Sequence, residues 1–122
     1  MDIRQATMAF AALSQETRLR VLRLLVQYGP QGAPAGTLSD ALEIPHNTLS
    51  FHLSQLSHAR LVVSRRQGRS IIYSANFDSI MGLIRFLVED CCRVDLAKIR
   101  NDKKRGRSVI ELLNCCPKEE KV

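Results

Sequence analysis

The 122-residue sequence has no tryptophan, two tyrosines and four phenylalanines, so aromatic side chains make up only 5% of it. The core must therefore be aliphatic, and an aromatic placed on an outward face is a functional signal. Long hydrophobic runs are also missing. Arg18, Arg20, Arg23 and Arg85 break the apolar stretches well short of the roughly 18 residues a membrane span needs. The amino terminus lacks a basic region leading to a small-residue cleavage site, so the expectation is a cytoplasmic protein with no membrane partner. Carboxylates are absent between Glu43 and Asp78, where the only ionisable cations are Arg60, Arg65, Arg66 and Arg69, with three histidines. A surface built from that stretch does not repel phosphate. No Cys-x-x-Cys occurs, and no histidine lies near a cysteine in sequence. Both absences argue against a thiol oxidoreductase, and the expectation is that the protein is not an enzyme.

What is present is the composition of one soluble globular domain, 45% hydrophobic and 25% charged, near the common domain size. The net charge is +6 and the isoelectric point about 9.6, which makes nucleic acid the first class of partner to consider. The charge is uneven: residues 1–92 carry nine Lys and Arg against seven Asp and Glu, residues 93–122 nine against five. We divide the chain accordingly into residues 1–92, a folded domain, and residues 93–122, a basic, cysteine-containing tail. The tail has six Lys or Arg between Lys98 and Arg107, a run that reads as a solvated linker before it reads as extra non-specific DNA affinity.

Apolar spacing predicts helices over residues 3–13, 15–28, 37–44, 47–59 and 77–92. Ser14 is the expected cap of the second, with Leu19, Leu22 and Val26 on its buried face, Val21 and Leu25 flanking it, and Arg18, Arg20 and Arg23 on its polar face; Thr37 is the expected cap of the third. The segment GPQGAPAG is read as a loop, and Pro45 as the end of the third helix. In the fourth helix, Leu49, Leu53 and Leu56 form a buried stripe, while Asn47, Phe51, Ser54 and His58 lie opposite. Two β-branched runs, 61–66 and 70–75, flank Gln67-Gly68-Arg69, the signature of a tight hairpin with a basic tip.

This order predicts a mainly α fold with a small β-hairpin, a winged helix-turn-helix. Its second helix fits the major groove of double-stranded DNA, and the hairpin cations meet phosphate or the minor groove. Asn47, Thr48, Ser50 and Gln55 are neutral hydrogen-bonding groups suited to base edges, and Phe51 to a thymine methyl. His52 sits beside the buried stripe, which favours packing or a phosphate contact over base reading or metal binding.

The segments LSQETRLRVLRLL and PHNTLSFHLSQLSHARLVVSRRQGRSIIYSA, with the run S-F-H-L-x-x-L followed by a hydrophobic strand, a basic glycine-containing wing and a tyrosine-bearing strand, resemble the ArsR/SmtB family of metal-sensing repressors over roughly residues 8–92. The resemblance implies a homodimer that presents two reading helices to a palindromic operator. It places the reading positions at His46, Asn47, Thr48, Ser50, Phe51 and Gln55, and the wing positions at Arg65, Arg66 and Arg69.

The family's common Cys-Val-Cys arsenic motif is absent from TLSDALEI, and no histidine follows His58 to build the Asp, His and Glu site of its zinc sensors. What remains are two adjacent cysteine pairs, Cys91-Cys92 and Cys115-Cys116. The first resembles that of a divergent group in the family, in which a vicinal pair and a further cysteine capture arsenite. The implied inducer is trivalent arsenic or antimony, which soft thiolates select. Arg93, Lys98 and Arg100 favour the thiolate, which helps metalloid binding and oxidation alike. The alternative is therefore a redox or persulfide-sensing repressor of the same fold. Adjacent pairs also lack the spacer usual in structural zinc sites.

Overall fold

The computed structural model describes residues 1–89 and contains, in order, α1 (Ile3–Leu13), α2 (Glu16–Tyr28), a 3₁₀ turn (Gly29–Gln31), β1 (Ala33–Pro34), α3 (Ala35–Leu42), α4 (His46–His58), β2 (Val62–Gln67), β3 (Ser70–Ala75) and α5 (Phe77–Val88). The chain divides into two units, Met1–Leu83 and Ile84–Val122. The second is described only through the end of α5 and Glu89. The cysteine pairs, and the expected helix beyond residue 89, lie outside the described residues. Among the described residues no helix is long and apolar enough to cross a membrane.

The first unit is helical with one small sheet, as the spacing predicts. Its interior is aliphatic: Val21, Leu25, Leu38, Leu49, Leu53, Leu56 and Leu61 are the largest fully buried side chains. α1 contributes only Ala6, Ala9 and Ala12 to the interior, and side chains this small let it lie close to its neighbours. Its N-terminus is closed by a reciprocal capping box between Asp2 and Gln5, which satisfies two otherwise unpaired backbone donors.

α2 departs from expectation in two ways. Its N-cap is Gln15, whose side chain accepts from the Arg18 amide. Ser14 instead ends α1 and donates its hydroxyl to the Ala11 carbonyl. The buried face is Val21, Leu22 and Leu25, while Leu19 and Val26 are exposed. Arg18 falls on the inward side and is half-buried rather than on the polar face. Both stripes have helical spacing, and contact with α1 and α4 selects the one that carries Arg18.

α3 begins two residues earlier than expected, behind Pro34, whose extended backbone forms its N-cap; Thr37 is exposed and makes no cap. The helix closes on Glu43 in the left-handed region (φ 55°), and the Ser39 hydroxyl donates to the Ile44 carbonyl. Pro45 then starts α4. α4 ends in a Schellman arrangement: the Leu61 amide donates to the Leu56 carbonyl and the Arg60 amide to that of Ser57, with Arg60 at φ 64°. Asn76 ties this corner to the start of α5, donating its side-chain amide to the Arg60 carbonyl and accepting from the Ser79 amide.

The expected two-stranded hairpin is the larger part of a three-stranded antiparallel sheet, ordered β1-β3-β2. β2 and β3 pair from Val62↔Ala75 to Gln67↔Ser70. The turn is Gly68-Arg69, with Gly68 at φ 64° as a tight hairpin requires. The additional strand comes from the segment read as a loop: Ala33 pairs with Tyr73 and Pro34 with Ile72.

Candidate DNA-binding face

α4 is held by Leu49, Leu53 and Leu56, which are at most 1% exposed. That anchoring turns the opposite arc outward. His46, Asn47, Thr48, Ser50, Phe51, Ser54 and His58 are exposed, and Gln55 is half-buried at the edge of the arc. Phe51 is 57% exposed. More than half of this large aromatic thus lies outside the core, beyond what its edge-on contact with His52 covers. The arc contains no carboxylate and no Lys or Arg, so its chemistry is that of hydrogen-bonding groups around one apolar ring. The Asn47 side-chain oxygen accepts from the Thr48 amide at 2.9 Å, which orients Asn47 at the first turn.

His52 points the other way. It is 8% exposed, and burial, followed by the nearby Arg18 guanidinium, pushes its titration below the ordinary histidine value. It is a packing residue, and its neutral imidazole belongs to the interior of the domain.

The wing is supplied by β2 and its turn. Arg65, Arg66 and Arg69 are all exposed, but they are not equivalent. Arg65 donates to the Gln31 carbonyl at 2.8 Å, anchoring the hairpin to the 3₁₀ turn. Among the described residues the one salt bridge is Arg20–Glu16 on α2, so Arg66 and Arg69 have no acidic side chain to neutralise them. α4 packs against β2, so the fold places the expected reading and wing residues in one unit, on adjoining elements. The four cysteines lie outside the described residues. Among those described, no three His, Cys, Asp or Glu come together to hold a metal ion.

Sequence reasoning missed Arg18 as part of this region. The usable signal was its placement four residues before Leu22 and seven before Leu25, on the same face as the core.

Known proteins agree with this architecture. Residues 13–65 match a family described as a helix-turn-helix domain. The chain is 26% identical over 91 residues to the transcriptional activator HlyU of Vibrio cholerae, covering 75% of this chain and 82% of that one. A structure of reduced HlyU superposes with a TM-score of 0.55 at 26% identity, covering 69% of this chain and 88% of that one. An ArsR-like transcriptional regulator from Rhodococcus sp. RHA1 gives a TM-score of 0.61 at 27% identity, over 90% of this chain and 92% of the other. A homodimeric winged helix-turn-helix DNA-binding domain from Mycobacterium bovis gives 0.58 at 24% identity, over 72% and 82%. The chain thus carries a helix-turn-helix domain within a winged-helix fold shared with ArsR-type regulators.

Proposed function

We propose that the protein is a homodimeric, non-catalytic transcriptional repressor that works in the cytoplasm on double-stranded operator DNA. α4 reads base edges and the wing holds phosphate. The observation that carries this is the outward arc of α4: a hydrogen-bonding face without carboxylate, Lys or Arg and with Phe51 exposed at its centre, adjoining a wing whose Arg66 and Arg69 have no acidic partner among the described residues. The similarity to transcriptional regulators supports it. The homodimer is supported by the Mycobacterium bovis domain and by the outer side of α1, where Ile3 and Phe10, seven residues apart, are 70% and 43% exposed. Residues at that spacing share one helix face, and a second copy of the chain covers it.

The wing makes its own prediction. Replacing Arg66 or Arg69 by Gln weakens binding about equally on operator and unrelated DNA, and flattens the slope of log K against log salt by about 0.9 for each phosphate contact removed. An anisotropy titration at several salt concentrations checks it.

For the inducer, we propose trivalent arsenic or antimony held by thiolates drawn from Cys91, Cys92, Cys115 and Cys116, with release of the operator on loading. The donor set supports this: four thiols, beside Arg93, Lys98 and Arg100, are soft ligands in a setting that favours thiolate. The test is fluorescence anisotropy of the reduced protein on DNA from upstream of its own gene, titrated separately with arsenite, antimonite, zinc and peroxide. Release by the first two, abolished in Cys91→Ser/Cys92→Ser, is the expected result; unchanged release in that variant rejects the assignment. The second proposed mechanism is a thiol switch, favoured by the likeness to HlyU, a protein solved in a reduced form. Release by peroxide alone, with a disulfide seen by non-reducing mass spectrometry, selects it. Absence of DNA binding under every condition rejects the repressor itself.

A further inference from the structure

On the strength of α4's DNA-reading role, we propose that Arg18 and His52 form a positioning pair that fixes the rotation and height of the reading helix against α1 and α2. The Arg18 guanidinium donates from Nε to the Ala12 carbonyl at 2.7 Å, and its Nη1 lies 3.4 Å from His52 Nδ1. One planar group thus joins the last turn of α1, the first turn of α2 and the middle of α4. The leucine stripe alone does not set this geometry. Leu49, Leu53 and Leu56 supply non-directional attraction, which tolerates small slides and rotations of the helix. A fork of donors aimed at one carbonyl and one ring nitrogen does not. The adjacent residue is Phe51, whose ring meets that of His52 edge-on at 5.7 Å between centroids. The residue that fixes the helix from within is therefore next in sequence to the aromatic that reads from without.

The pair has a chemical condition. A guanidinium only donates, so His52 Nδ1 must present its lone pair and the ring proton must reside on Nε2. Protonating Nδ1 would place two cations face to face in a buried position. Arg18, on α2, is the one charged group that moves the titration of His52; α1, α3 and β2, the other elements packed on α4, bring none to bear on it among the described residues. His52 in the unfolded chain titrates near its ordinary 6.5 and in the folded chain below it. Its contribution is thus complete above that value, and is lost as the pH falls from there through the folded value.

Affinity for operator DNA is measured by anisotropy from pH 5 to 8, with circular dichroism and melting followed in parallel, for the wild type, Arg18→Met and His52→Asn. Asparagine keeps an acceptor where Nδ1 stands and does not titrate. His52→Asn is expected to bind within about threefold of wild type at pH 7.5, with the acid-side loss of affinity removed. Arg18→Met, with similar length and no donors, is expected to bind at least tenfold more weakly at pH 7.5 while remaining helical. Wild-type affinity in Arg18→Met, or a wild-type pH profile in His52→Asn, overturns the pair and leaves DNA reading by α4 intact. Failure of the wild type to bind DNA at any pH overturns both. If Arg18→Met does not fold, the His52→Asn profile decides alone.

Discussion

Truncating Ser50 and Phe51 together to alanine weakens operator binding by roughly 30- to 20,000-fold, from two base contacts at about 1–3 kcal/mol each. The same variant melts within a few degrees of wild type. Both side chains are exposed, and alanine at an exposed helix position is as favourable as any residue. The result is distinctive because the opposite face behaves in reverse. Leu53, only 1% exposed, costs about 2–5 kcal/mol of stability on truncation, and Leu53→Ala loses DNA binding only by unfolding. Anisotropy and thermal melts on the two variants separate the faces. Normal operator binding by the double variant would remove α4's outer arc from recognition.

A comparably large effect on stability is expected from one glycine. Gly32→Ala is destabilised by about 4 kcal/mol, combining roughly 1–3 kcal/mol for a side chain in its backbone region with a steric term. Gly32 has φ 70° and ψ −162°, a combination open in practice to glycine alone. A Cβ there would stand 2.2 Å from the Tyr73 carbonyl oxygen, so β1 and β3 must separate. For a domain of this size that is a fall in melting temperature of about 15–30 °C. Gly29 is the internal control. Its backbone is nearly the same, φ 76° and ψ −165°, but a Cβ there meets nothing within 4 Å. Gly29→Ala should cost only the backbone share, about 1–3 kcal/mol. Equal melting temperatures for the two variants would show that the β1–β3 approach contributes nothing.

Gly32 also marks where the sequence stops being readable. α4 was legible because Leu49, Leu53 and Leu56 repeat at helical spacing and leave one aromatic on the wrong side for a core residue. The wing was legible because two β-branched runs flank a single glycine. β1 was not, since Ala33-Pro34 amid glycine and proline has loop composition, and its pairing depends on an approach that only the folded β3 creates. The face of α2 was ambiguous for a different reason. Its sequence offers two apolar stripes, and the correct one includes an arginine, which is unfavourable inside until the Ala12 carbonyl and His52 are in place to receive it. Capping of α2 by Gln15 was missed because Ser14, one residue earlier, is the more usual capping type. The outward side chains of α4 required only local periodicity, whereas Arg18 required knowledge of three helices at once.

The sheet order has a consequence for solubility. With β3 between its two partners, β2 is an edge strand among the described residues, with a row of backbone donors and acceptors able to recruit a strand from another molecule. Val63 and Ile71 nearby are 46% and 44% exposed, which would make such recruitment adhesive. Arg65 and Arg66 sit on that open strand and repel an identical one brought alongside. The cations of the wing therefore keep copies of the protein from zipping together edge to edge. Replacing them by apolar residues would exchange weakened DNA binding for aggregation.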